Sequence, residues 1–189
     1  MKKLVYKRAL AFLIDTLIVS LLIILMNIAT GFEIPESPNI SEYSDMLIRE
    51  EITASEYIDT IIVENHEQEI ETLNNSLVNI SILILVFIII PFFNKKTIGQ
   101  ALTGLKFKEK IKIHQLFIRN AVVNGLLFSI ISLSTVFILD PKPYFALVGV
   151  LAIFQIVIVI KSGFMVLLNE DSKGLQDLWS KSEVIVEEV

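Results

Sequence analysis

Four stretches of the chain are apolar almost without interruption: residues 9–30, 77–93, 121–139 and 144–168. Each is near or above the roughly 20 mostly apolar residues that a helix needs to cross a hydrocarbon core. Asp15 and Lys161 are the only charges inside them. The run at 82–90 is rich in β-branched residues and would pass for a buried strand in a soluble fold. It continues too long for that, and in lipid a helix satisfies its own backbone. Pro91 falls in the last turn of its span, where a kink or a helix end is tolerated. The pattern predicts an all-α integral membrane protein, a four-transmembrane-helix bundle in one domain spanning residues 1–189.

The segments between the spans differ in pattern. In 31–76, Pro35 and Pro38 mark a linker. Thr53-Ala54-Ser55-Glu56 then has capping-box spacing, with Tyr57, Ile58, Ile61 and Ile62 following at helical intervals. One or two short amphipathic helices are expected there. From 105 the period changes to two. Leu105, Phe107, Ile111 and Ile113 fall on one face, and Lys106, Lys108, Lys110 and Lys112 on the other. That predicts a strand or hairpin turning near Glu109. A second β-prone run at 183–188 is acidic where this one is basic, so the two can pair as a small sheet. The lysine face can also lie on anionic lipid head groups, at roughly 1 kcal/mol per Lys, or simply set topology.

Charge placement then orients the spans. Of 16 Lys and Arg, 14 fall in residues 1–8, in 94–119, or in and after the last span; Arg49 and Lys142 are the exceptions. The positive-inside rule puts both termini and 94–119 in the cytoplasm, and 31–76 outside. That outer loop holds 12 acids and one Arg, so the overall net charge of −5 describes one loop and implies no nucleic-acid partner. Its acids are expected to solvate a surface, with cation collection or partner binding as the rival role. The basic start of span one resembles a signal peptide, but Asp15 interrupts it and no small-x-small site follows.

Composition narrows the chemistry. With 53% hydrophobic residues, 20% charged and a mean hydropathy of +0.67, a soluble fold of this size is excluded. There is no cysteine and there are two histidines, His66 and His114. Thiol nucleophiles are excluded, and no metal centre or cofactor is expected. Gly99-x-x-x-x-Gly104 suggests a phosphate loop, but the lysine comes one place late, Phe107 follows, and a membrane helix precedes it. No internal repeat is visible.

Four separated blocks resemble one family. KRALAFLIDTLIV carries Arg8 and Asp15; TIGQALTGLKF carries Thr97 and Gly99; IRN carries Arg119; KGLQDLWSKSEVIV carries Asp177. Together they resemble the RDD family of small, mainly prokaryotic membrane proteins, named for an arginine and two aspartates. Lys181 stands where glycine is usual in that family and Ser182 where threonine is usual. The resemblance implies a multi-pass protein of the cell membrane that transports ions or small solutes.

An aspartate at a helix centre in lipid costs roughly 2.5–3.5 kcal/mol, so Asp15 is the leading candidate for an ion or proton site. Arg8 lies on the same helix face but roughly 10 Å along the axis. Counting residues from the cytoplasmic ends puts Asp15 and Lys161 both roughly 10 Å deep, with Asn124 near that layer. An Asp15–Lys161 pair is therefore expected, either as a coupling site or as a fastener between helices. Gln155 reads as interhelical glue, Arg119 as a head-group anchor, and Asp177 as a surface residue beside Leu175, Leu178 and Trp179. The leading function is transport of a small ion or solute, with cation/proton exchange as one form of it, in a homo-oligomer because four spans are few for a pore. The alternative is a non-transporting accessory or scaffold protein that binds a partner through its acidic loop. With one intramembrane acid and no His or Cys beside it, the chain is not expected to be an enzyme.

Overall fold

A computed structural model describes residues 2–31, 40–169 and 171–187. The linker expected around Pro35 and Pro38 lies outside the described residues. Three helices are long and apolar enough to cross a membrane, and a bent pair makes a fourth candidate.

The first is α1 (Lys2–Ala29). It is apolar around most of its circumference, and Leu13, Leu17, Leu21 and Ile28 are exposed. Its buried positions, Ala11, Asp15 and Val19, are four apart and so form one stripe along the helix. Two short helices follow, α2 (Ile40–Ile48) and α3 (Ala54–Glu71). The Thr53–Glu56 capping box starts α3 as the spacing predicted.

The second candidate span runs Leu73–Asn94. It consists of α4 (Leu73–Ile84), a π-helical turn (Leu85–Ile89) and α5 (Ile90–Asn94). Pro91 has no N–H to offer the Phe87 carbonyl four residues back. The Asn120 amide donates to that carbonyl instead, at 2.9 Å. Val19 of α1 packs against Ile82, Val86 and Phe87 of this helix.

After α5 comes α6 (Ile98–Thr103), which has its own capping box, Thr97 with Gln100, and ends on Gly104 at φ +66°. It leads into β1 (Leu105–Phe107), which pairs antiparallel with β2 (Val184–Val186) in the register Leu105↔Val186. The basic and acidic runs meet here: Lys96 lies 2.8 Å from Glu187 and Lys108 lies 3.2 Å from Glu183. The alternating pattern continues to Ile113, but the strand stops at Phe107. Beyond a turn, α7 (Ile113–Val123) begins.

The third candidate span differs from the expected 121–139. It is α7 followed by α8 (Leu126–Thr135), with a 78° bend between them. Gly125, at φ +71°, makes the break. Few side chains tolerate that backbone conformation. The last span is α9 (Pro141–Leu168), along which Tyr144 and Ser162 are the buried residues. A short α10 (Leu175–Ser180) packs on α7 and α9.

These contacts sort the chain between two ends of the bundle. The start of α1, α6, the two-stranded sheet and α10 share one end. At the other, α3 packs on the start of α9, with Lys142 2.8 Å from Asp59 and the His66 ring edge-on to Tyr144 at 5.1 Å.

Candidate polar site between α1, α6, α7 and α10

Asp15 sits on the buried stripe of α1 and is 5% exposed. Its carboxylate accepts from the Thr97 hydroxyl at 2.6 Å and from the Gly99 backbone N–H at 2.7 Å. Both donors belong to the first turn of α6, which packs along α1. Gly99 makes this approach feasible, because a Cβ there would lie 2.1 Å from the Ala11 carbonyl oxygen. Among the described residues Asp15 has no cationic partner. Helix propensity and span hydropathy gave no sign of this docking. The usable signal was Thr-x-x-Gln, a capping box directly after a membrane helix.

Asp177 is the second buried acid, at 1% exposure. The Arg8 and Arg119 guanidiniums each donate to one of its carboxylate oxygens, and the Gly174 N–H donates at 2.8 Å. Arg8 also reaches the Ser172 carbonyl at 2.8 Å. Arg119 donates to the Ser182 hydroxyl at 2.8 Å and lies over the Phe107 ring. The cluster therefore ties α1, α7 and α10 together. Burial alone would push the Asp177 carboxyl up, but Arg119 and then Arg8 outweigh it and hold the group below the ordinary carboxylate range.

This arrangement revises three expectations. Arg119 is not a head-group anchor: it is buried and pairs with Asp177. Asp177 is not a surface residue, whereas its neighbours Leu178 and Trp179 are exposed. Lys161 does not meet Asp15. It is exposed on α9. Equal depth placed the two residues in one layer but could not fix their faces.

Asp15, Arg8, Arg119, Asn120, Asn124 and Ser162 all line one cavity of about 320 Å³ bounded by α1, α6, α7, α9 and α10. Asn124 donates to the Asn120 side chain at 2.8 Å, and Asn120 donates on to Phe87. Asn120 went unnoticed in the sequence because it reads as one polar residue at the edge of an apolar run. Its partner, the carbonyl freed by Pro91, becomes visible only in three dimensions.

Residues 4–181 match the family model described as RDD family. The chain belongs to the RDD family. No curated protein and no solved structure matches it. As an RDD family protein with several long apolar helices, it is a membrane protein. The cell membrane is the plausible location for such a chain. The residues that carry the resemblance form two separate groups: Arg8 with Asp177 and Arg119, and Asp15 with Thr97 and Gly99.

Proposed function

We propose that this RDD family protein moves a small cation across the membrane, in exchange for protons, with Asp15 as the group that alternately holds them. One observation carries the reading: Asp15 is a buried carboxylate inside a membrane-spanning helix, held among the described residues by neutral donors, and it lines a cavity. A carboxylate fixed by a cation would resist protonation. One held by a hydroxyl and an amide can exchange a proton for a cation at lower cost. The other ingredients support the reading. Asn120, Asn124 and Ser162 line the same cavity, and a cation there would share the Asn120 and Ser162 oxygens with the hydrogen bonds they already make.

In this reading all four candidate spans cross, with both termini, α6 and the sheet in the cytoplasm and α2–α3 outside. The skew of basic residues supports that orientation. A cysteine introduced as Ser55→Cys should react with an impermeant thiol reagent in intact cells, and one introduced as Lys108→Cys should not.

The functional test is cation uptake into proteoliposomes with and without an imposed pH gradient. The wild type should show gradient-dependent flux. Asp15→Asn, shown to be folded by its thermal melt, should lose it. Unchanged flux in Asp15→Asn removes Asp15 from the mechanism. No flux in the wild type favours the accessory or scaffold role.

A further inference from the structure

A second cavity, of about 280 Å³, opens at the α3 end of the bundle between α3, α4, α8 and α9. Glu69 stands among its lining residues where α3 ends, and its depth is marked by Ser76, Asn79, Ser129 and Gln155. The Asn79 side-chain oxygen Oδ1 is buried without a partner among the described residues. An unpaired buried acceptor is costly and is explained when water or a cation fills the space beside it. The Tyr144 and Ser132 hydroxyls, 2.9 Å apart, add further oxygens to the wall.

This cavity and that of Asp15 lie end to end along α9. Gln155 lines the first, and Val159, one helical turn further on, lines the second. The same succession holds across the α7–α8 break, where Ser129 faces the first cavity and Asn124 the second. Between them, the Gln155 carboxamide rests on Gly125. A Cβ on Gly125 would meet Gln155 Nε2 at 2.7 Å and Oε1 at 3.1 Å. A flexible side chain seated on a backbone that has none thus stands where the two linings meet.

We propose that the two cavities are halves of a single polar path for a small monovalent cation, and that Gln155, seated on Gly125, is the gate between them. The inference deepens the transport reading and rests on it. A carboxamide suits this position because it offers acceptors to a passing cation without holding it by charge. The backbone break also puts a hinge between the two half-helices at the same level.

The test uses the full chain, which contains no cysteine, and silver ion as a thiol-reactive monovalent cation. Reaction is read as lost dye labelling, in intact cells and in inverted vesicles. The face from which Ser132→Cys reacts identifies the α3 side. From that side Val159→Cys should be protected, and adding Gln155→Ala should raise its rate at least tenfold. Its rate from the opposite side should not change. If Val159→Cys does not fold, Asn124→Cys serves as reporter for the same cavity. Reaction of Val159→Cys from the α3 side with Gln155 in place overturns the gate, as does continued protection after Gln155→Ala. The two readings fail separately. Wild-type flux that Asp15→Asn abolishes, with reactivity indifferent to Gln155→Ala, overturns the path alone. Gated reactivity without cation flux overturns the transport reading.

Discussion

The two buried aspartates of this protein sit at the same end of the bundle and line or flank the same cavity, yet they are held in opposite ways. Asp177 is enclosed by two guanidiniums and a backbone N–H that belong to three elements. Asp15 receives a hydroxyl and one N–H, both from the first turn of α6. Losing the charge at Asp177 would strand two cations in a buried site. Losing it at Asp15 strands none, because a protonated acid or an amide can still occupy the place. Buried charge is thus held in two ways here: by two cations at Asp177 and by a hydroxyl and an N–H at Asp15.

The largest effect is expected where the fastening is broken. Asp177→Asn keeps the shape but leaves Arg8 and Arg119 without their counter-charge. Breaking one side of a buried pair costs about 3–5 kcal/mol, so a melt in detergent should show a large loss. A change under about 1 kcal/mol would mean that the cluster is not what joins α1, α7 and α10. The pH dependence has a definite sign. The folded carboxyl titrates lower than the unfolded one, so its contribution is complete above the ordinary carboxylate range. It is lost as pH falls through the depressed folded value. That acid-side loss should disappear in Asp177→Asn.

Next in size is the docking of α6 on α1. Gly99→Ala puts a methyl 2.1 Å from the Ala11 carbonyl oxygen, and backbone must move to admit it. Overpacking of this kind costs about 1–3 kcal/mol. Because the shift pulls both donors away from Asp15, flux should fall along with stability. Gly149→Ala is the control: nothing lies within 4 Å of a Cβ there, and the helix-interior methyl should leave stability unchanged or raise it by up to about 1 kcal/mol. Equal melts for the two variants would refute the close approach.

The contrast also shows what the sequence could convey. Spans one, two and four were legible because hydrophobic length is a local property, and the Thr53 cap because its two partners are three residues apart. The sheet was legible from complementary charge and period. The bend at Gly125 was not, since 121–139 carries no charge and reads as one mostly apolar run, and one glycine inside a helical run does not announce a positive φ. The sites were legible as residues but not as partners. Arg8, Asp15, Arg119 and Asp177 all drew attention, but depth along a helix says nothing about azimuth. Arg8 and Asp177 lie 169 positions apart in sequence, and no local rule joins them.

A smaller effect is expected at Thr97→Val, which keeps the volume but removes the hydroxyl that donates to Asp15 and accepts from the Gln100 N–H. Loss of a cap costs about 1 kcal/mol. Flux should shift its pH dependence and persist, because the Gly99 N–H still holds Asp15. Unchanged pH dependence would show that the hydroxyl does not tune the site.

The smallest effect is expected at Lys161, and it tests the comparison most directly. If Asp15 is free of any cation, Lys161→Ala should change stability by no more than about 0.5 kcal/mol, as for an exposed position. The double-mutant cycle with Asp15→Asn should be additive within about 0.5 kcal/mol, the scatter found for residues that share no partner. A coupling above about 1 kcal/mol would mean that the lysine folds back to the carboxylate. Asp15 would then be a fastened charge like Asp177, and its claim to exchange protons for cations would go with it.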